Sequence, residues 1–271
     1  GKYTGEKTEN FTINKAEQAA PDAPLLISIS WDSVLFASVP NAEYRYIGGE
    51  WQGLSMFSGL TPNTQYTFYM RMKETANYNA SEIGSSFTLT TPKAMLIGVV
   101  IILGVPKYDE ELNADPLIIS PTYGEGARSY QWMRSETYDG VYEEIPGATG
   151  ATYKLTQEDI GKYIKVSMEA ANCEGVLISV PTALIEKADG PAAPAAVTGS
   201  YTGNGETFTY TVTPIPGAEY GMDGGSWQDS NIFADITPGE GFSVIHTFCA
   251  RIKATETRKT GVESSTGVVA F

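Results

Sequence analysis

Apolar and polar residues alternate along this chain in short runs. Leu25 to Trp31 reads Leu26, Ser28 and Ser30 on one face and Leu25, Ile27, Ile29 and Trp31 on the other, a period of two that predicts a strand. Thr64 to Lys73 sets Tyr66, Phe68, Met70 and Met72 against Thr67, Tyr69, Arg71 and Lys73, one buried face and one solvated. No window carries the stripe of a long amphipathic helix, and Gly and Pro punctuate aromatic and β-branched runs throughout. The pattern predicts an all-β chain.

The pattern also repeats. "PNAEYRYIGGEWQGLSMFSGLTP" (Pro40 to Pro62) aligns without a gap on "PGAEYGMDGGSWQDSNIFADITP" (Pro216 to Pro238), sharing Glu43/Glu219, Tyr44/Tyr220, Trp51/Trp227, Gln52/Gln228 and Phe57/Phe233. Beyond the loop, "YMRMKET" (Tyr69 to Thr75) matches "CARIKAT" (Cys249 to Thr255) after an insertion around Phe242 to Thr247. Each copy follows a Pro/Ala-rich stretch, Ala19 to Pro24 and Gly190 to Ala196, with similar lead-ins, "INKAEQ" and "IEKADG". Such stretches favour semi-rigid polyproline II spacers, and repeated lead-ins signal concatenated modules. In both copies a Gly-Gly pair (Gly48-Gly49, Gly224-Gly225) precedes the Trp by two residues, which predicts a tight hairpin turn.

"GLTPNTQYTFYMRMK" (Gly59 to Lys73), with the Trp-bearing strand ending at Trp31, resembles a fibronectin type III domain. The resemblance spans Pro21 to Pro92 and, more weakly, Pro191 to Phe271, where the second copy lacks the leading Tyr. The segment between has its own signature: "SYQWMR" (Ser129 to Arg134) and Asp159, Gly161 and Tyr163 at alternate positions. From Leu96 to Lys187 it resembles a bacterial immunoglobulin-like module. That resemblance implies a corner in which Tyr163 bonds back to the backbone. Lys165 stands where an antibody-type domain has its second Cys, so apolar packing alone must hold this module. Ile164, Val166 and Met168 form the inward face, which turns Lys165 outward and Tyr163 with it unless a bulge intervenes. Tyr3 to Ala16 looks like the closing strand of a further repeat, with Phe11 and Ile13 inward and an edge that must pair with something.

Composition narrows the partners. A net charge of −14 argues against nucleic acid, whose phosphates need Lys and Arg, and disfavours anionic lipid. Acid-rich loops raise calcium as an alternative to a plain solvated surface, although no EF-hand spacing is present. Cys173 and Cys249 fall in different expected modules, so no intradomain disulfide is expected. The apolar run Met95 to Val105 is too short to span a membrane and is broken by Gly98 and Gly104. No leader is read at Gly1, and the targeting and anchoring segments are expected outside this sequence.

Candidate chemistry is sparse. His246 is the only histidine, and His-based triads and zinc sites need more, so a structural role is expected. Asp109/Glu110/Glu111, Glu143/Glu144 and Glu158/Asp159 are read as solvated surface, since adjacent acids on a strand or turn point apart. A Lys165–Asn113 isopeptide cross-link is disfavoured by the outward phase of Lys165. Trp51 and Trp227 remain the candidate ligand-binding residues, either as platforms for a sugar ring or as structural lids on their sandwiches.

The reading is therefore an all-β chain of tandem immunoglobulin-like and fibronectin type III-like β-sandwich domains. Residues 1–18 are the closing strand and linker of a preceding repeat. Residues 19–93 form the first fibronectin-like module, 94–188 the immunoglobulin-like one, and 189–271 the repeat of the first. The resemblances imply a non-enzymatic spacer or display region of a bacterial cell-surface protein, extracellular or wall-associated, with no cofactor or metal. Other repeats of the same parent protein would be its partners, with no nucleic acid and no membrane insertion within this stretch. An adhesin or carbohydrate-binding module facing a glycan or host surface protein, or an accessory region of a secreted glycan-degrading enzyme, is the alternative.

Overall fold

The computed structural model of the chain describes residues 5–203, 205–237 and 245–270. Of the expected insertion around Phe242 to Thr247, residues 242–244 lie outside them. Among the described residues, strands and one 3-10 turn, Gln157–Asp159, make up the regular structure, and no helix is long and apolar enough to cross a membrane.

The first repeat supplies β1 (Leu26–Ile29), β2 (Ser33–Phe36), β3 (Ala42–Tyr46), β4 (Met56–Ser58), β5 (Gln65–Met72) and β6 (Phe87–Thr90). They form two sheets, ordered β1-β2-β4 and β3-β5-β6, the strand division of an immunoglobulin-like sandwich. The intervening segment contributes β7 (Ala94–Met95), β8 (Ile97–Leu103), β9 (Glu111–Ser120), β10 (Arg128–Ser135), β11 (Glu143–Glu144), β12 (Thr152–Lys154), β13 (Tyr163–Ala170), β14 (Cys173–Glu174) and β15 (Leu177–Ile178). Here the orders are β12-β9-β8 and β11-β10-β13-β15, with β7 and β14 a parallel pair. The second repeat adds β16 (Gly199–Gly203), β17 (Phe208–Val212), β18 (Ala218–Met222), β19 (Ile232–Ile236), β20 (Ile245–Ile252) and β21 (Gly267–Ala270). Its sheets, β16-β17-β19 and β18-β20-β21, copy those of the first repeat. The chain is all-β and built of sandwiches.

By contacts the chain divides into two compact units. One gathers residues 1–100, 116–130 and 167–178; the other gathers 101–115, 131–166 and 179–271. Each holds one whole repeat and part of the segment between the repeats.

In the first unit, Val34, Phe36, Tyr44, Phe57, Phe68 and Met70 bury their side chains together. Phe68 lies 4.9 Å from Phe36 and 5.0 Å from Phe57, ring centre to ring centre. In the second unit, Tyr210, Val212, Tyr220, Phe233, Phe248 and Ala250 occupy the matching places, with Tyr210 stacked on Phe248 at 4.1 Å. The copies exchange large for small along one strand: Val34 and Phe36 become Tyr210 and Val212. Such volume-conserving swaps keep a core packed.

Of the two faces of the first strand, the apolar row is the one that meets solvent: Leu25 is 68% and Ile27 60% exposed, whereas Leu26 packs on the core. Inward places go to residues in phase with Val34 and Phe36 across the pair, and the β1–β2 register shifts between Leu26 and Ser28. Trp31 lies in the bend after β1 rather than closing a core strand, and its ring meets Tyr123 at 5.8 Å within the first unit. Phe11 and Ile13, expected inward in a further repeat, are each 83% exposed on this one.

Candidate functional site

The two candidate tryptophans sit where the repeated hairpin puts them. After β3 the chain turns at Tyr46–Gly49, closed by a Gly49 N–H bond to the Tyr46 carbonyl at 3.0 Å. Gly48 adopts φ +83°, the conformation a type II turn demands. In the second copy the Gly225 N–H bonds the Met222 carbonyl at 2.8 Å, while Asp223 (φ +52°) and Gly224 (φ +70°) are both left-handed, the type I′ signature. Either turn returns the chain so that Gln52 pairs with Tyr44, and Gln228 with Tyr220.

Trp51 and Trp227 are each half-buried, and each ring carries a guanidinium. Arg71 lies 4.3 Å and Arg45 4.6 Å from the Trp51 ring centre; Arg251 lies 4.0 Å from that of Trp227. Arg71 is fixed by Glu43 at 2.6 Å and Arg251 by Glu219 at 2.7 Å. The shared Glu, Trp and Arg thus form one cation–π clamp on the β3–β5 face and its copy on the β18–β20 face.

The other shared residues are likewise occupied. Gln52 Nε2 donates to the Leu54 and Met56 carbonyls, and Gln228 Nε2 to those of Ser230 and Ile232. The Tyr44 hydroxyl accepts from Val39 N–H, and that of Tyr220 from Ile215 N–H. Sequence periodicity put Arg71 and Lys73 on a solvated face and missed the clamp; the joint recurrence of Glu, Trp and Arg in both copies was its signal. Arg71→Ala is expected to cost about 1–2 kcal/mol in urea unfolding, and Arg71→Lys to recover under half of it because an ammonium cannot stack flat.

His246, on β20, brings Nδ1 to Asp223 Oδ2 at 2.6 Å, and Thr247 donates to Asp223 Oδ1 from its N–H and its hydroxyl. Burial works to raise the Asp223 pKa, but bonds from the Thr247 backbone, His246 and the Thr247 hydroxyl outweigh it and hold the carboxyl below the usual aspartate range. A depressed folded value means stability present above the unfolded value, about 3.9, and lost as pH falls through the folded one. Acid unfolding of this repeat is expected to become shallower in Asp223→Asn, read by circular dichroism between pH 5 and 2.

One acidic residue overturns the solvated-surface reading. Asp159 is fully buried. Its Oδ2 accepts from the Tyr153 hydroxyl at 2.7 Å and from the Thr156 N–H and hydroxyl at 2.8 Å each, and its Oδ1 faces Arg134 Nη1 at 3.3 Å. Glu158 remains exposed and holds Arg134 Nη2 at 2.6 Å. The short turn Gln157–Asp159 folds the carboxylate inward, whereas an extended strand would have sent it out.

Tyr163 and Lys165 share the less buried phase along β13, alternating with buried Ile164 and Val166, as expected. The Lys165 ammonium lies 4.2 Å over the Tyr142 ring and Tyr163 sits edge-on to Tyr138 at 5.6 Å. The hydroxyl that anchors this corner is therefore that of Tyr153, not Tyr163. Asn113 pairs with Thr152 in another sheet. Cys173 and Cys249 are free thiols. Among the described residues, no three His, Cys, Asp or Glu side chains converge as a metal site would require.

No family model matches the chain, and no curated protein matches it. Among solved structures, the FN1–FN3 domains of chicken CNTN1 are similar at 12% identity and a TM-score of 0.29, over 93% of this chain and 98% of that one. The sandwich assignment stands on the sheets of the chain itself.

Proposed function

We propose that this chain is a non-enzymatic spacer of an extracellular, cell-surface protein: three sandwich modules, residues 19–93, 94–188 and 189–271, that hold other parts of the protein at a set distance. The observation that supports it most is that the Pro/Ala linkers are tied down on the repeats they introduce. Gln18 Nε2 donates to the Lys73 and Asn79 carbonyls, and the Val262 N–H reaches the Pro191 carbonyl. The close approach requires glycine. A Cβ on Gly84 would lie 2.2 Å from the Pro21 oxygen, and one on Gly190 2.0 Å from the Thr260 oxygen. The first unit has a second tie: Asn172 Nδ2 donates to the Gly124 carbonyl and its Oδ1 faces Asn63 Nδ2, beside the Trp31–Tyr123 contact. Linkers held this way transmit position; free ones would not.

Gly190→Ala is expected to release its linker, so that trypsin cuts after Lys187 at least about tenfold faster while the sandwiches stay folded. Spin labels flanking the junction should show a broader distance distribution in the variant than in the parent. A parent distribution already as broad as the variant's would end the spacer reading.

The rival reading, a sugar platform at Trp51 and Trp227, needs ring faces that Arg71 and Arg251 now cover. A glycan array tests it. Binding by the parent that is lost in Trp51→Ala/Trp227→Ala would replace the spacer with an adhesin.

A further inference from the structure

Resting on the modular spacer reading, we infer that residues 11–16 are the closing strand of another sandwich of the immunoglobulin-like kind formed by residues 94–188, seated directly ahead of the first repeat. The chain contains the same junction twice, once complete and once with one side bare.

In the complete copy, Ile185-Glu186-Lys187-Ala188 serves two sandwiches at once. Ile185 is 1% exposed; its N–H bonds the Lys162 carbonyl and its carbonyl accepts from the Gly161 N–H, both at 2.9 Å. Glu186 exchanges bonds with Pro106 and Tyr108 at 2.9 and 2.8 Å. Two residues on, Ala188 pairs in parallel with Arg258 of the second repeat, through Ala188 N–H to Thr257 O at 2.8 Å and Lys259 N–H to Ala188 O at 2.9 Å. Lys187 Nζ closes on the Thr255 carbonyl.

Ile13-Asn14-Lys15-Ala16 reproduces the second half of this geometry on the first repeat. Ala16 pairs in parallel with Tyr78, through Ala16 N–H to Asn77 O and Asn79 N–H to Ala16 O, both at 2.9 Å. Lys15 pairs with Glu74, the neighbour of Thr75, which is the counterpart of the Thr255 that Lys187 reaches. The first half is bare. Ile13, which stands where Ile185 does, is 83% exposed, and residues 5–15 lie in no strand. A β-branched residue bracketed by a preserved docking register, open on the side where its counterpart is sealed, marks a strand without its sheet. The counterpart names the cover: an edge that presents backbone groups as Pro106, Tyr108, Gly161 and Lys162 do. A second chain supplying it in trans would have to expel its own Ile185 strand, so the observations favour a module in the same polypeptide.

The test joins an extra copy of residues 94–182 to Phe11 of the chain, so that residues 11–16 follow Thr182 as residues 183–188 do. Hydrogen exchange by mass spectrometry then compares residues 12–15 with 184–187 in one molecule. The expected result is at least about hundredfold slower exchange at 12–15 than in the parent chain, abolished by Ile13→Asp with residues 184–187 unchanged. A control carrying Phe11→Ala, Thr12→Leu and Asn14→Glu restores the internal closing sequence. Protection in that control but not with the native residues overturns the inference, as does failure of both. Protection of the strand together with broad spin-label distances at the junctions would leave this inference standing and remove the spacer reading.

Discussion

Asp159→Ala is expected to lower the unfolding free energy by about 3–5 kcal/mol, the cost of breaking a buried charged network by removing one member. The carboxylate has no solvent contact and satisfies three donors and a guanidinium. Its loss leaves the Tyr153 hydroxyl and both Thr156 donors without their acceptor. Arg134 is the least affected, because Glu158 still holds its other nitrogen at 2.6 Å. Asp159→Asn should fall between, since an amide keeps the shape but offers one oxygen where two are used. Burial, then the carboxylate beside it, holds the Tyr153 hydroxyl well above the ordinary tyrosine range. In the alanine variant only the second effect disappears, so its ionisation should move down but not return to normal. Urea unfolding checks the first number: the midpoint should drop with little change in slope. A loss under about 1 kcal/mol would show that water replaces the carboxylate and that the corner is not closed.

That corner shows what a sequence reading reaches and where it stops. The alternating faces of β5 and β13, the hairpin turns and the repeat itself were legible, because period two and Gly-Gly pairs are local properties. Burial of Asp159 was not, although Thr156 stands three residues before Asp159, which opens the Asp-x-Gly-x-Tyr run, a spacing that lets a side chain cap a short turn. Reading neighbouring acids as strand residues assigned opposite sides to Glu158 and Asp159 correctly and the environment of the second wrongly. Which row of Leu25 to Trp31 turns inward was not legible, for a different reason. Alternation names two faces but not which one meets the partner sheet, and a register shift beside Leu26 decides it. At the hairpin, the Trp positions were visible as a recurrence, while the guanidinium on each ring depends on a pairing between β3 and β5, remote in sequence, that brings Arg71 opposite Glu43.

Phe68→Ala is expected to cost about 3–5 kcal/mol, the range for removing a buried aromatic side chain and leaving a cavity, and to do so in one repeat alone. Phe68 is wholly buried and touches Phe36, Phe57, Tyr46 and Tyr66, with ring centres 4.9–6.3 Å away. No small shift of one neighbour fills that gap. The matching Phe248 belongs to a separate cluster with Tyr210 and Phe233. If each repeat carries its own core, calorimetry of Phe68→Ala should show one transition moved down by more than about 10 °C, at about 4–8 °C per kcal/mol for a domain of this size, and the rest unmoved. Phe248→Ala should move a different transition by a comparable amount. A single transition shifted equally by both variants would mean that the sandwiches unfold together. Cooperativity across the junctions would then be as strong as within a module, and the boundaries near residues 93 and 188 would mark changes of sequence without being units of stability. Independent transitions would make each module replaceable, the physical condition for lengthening a spacer by repetition without rebuilding its cores.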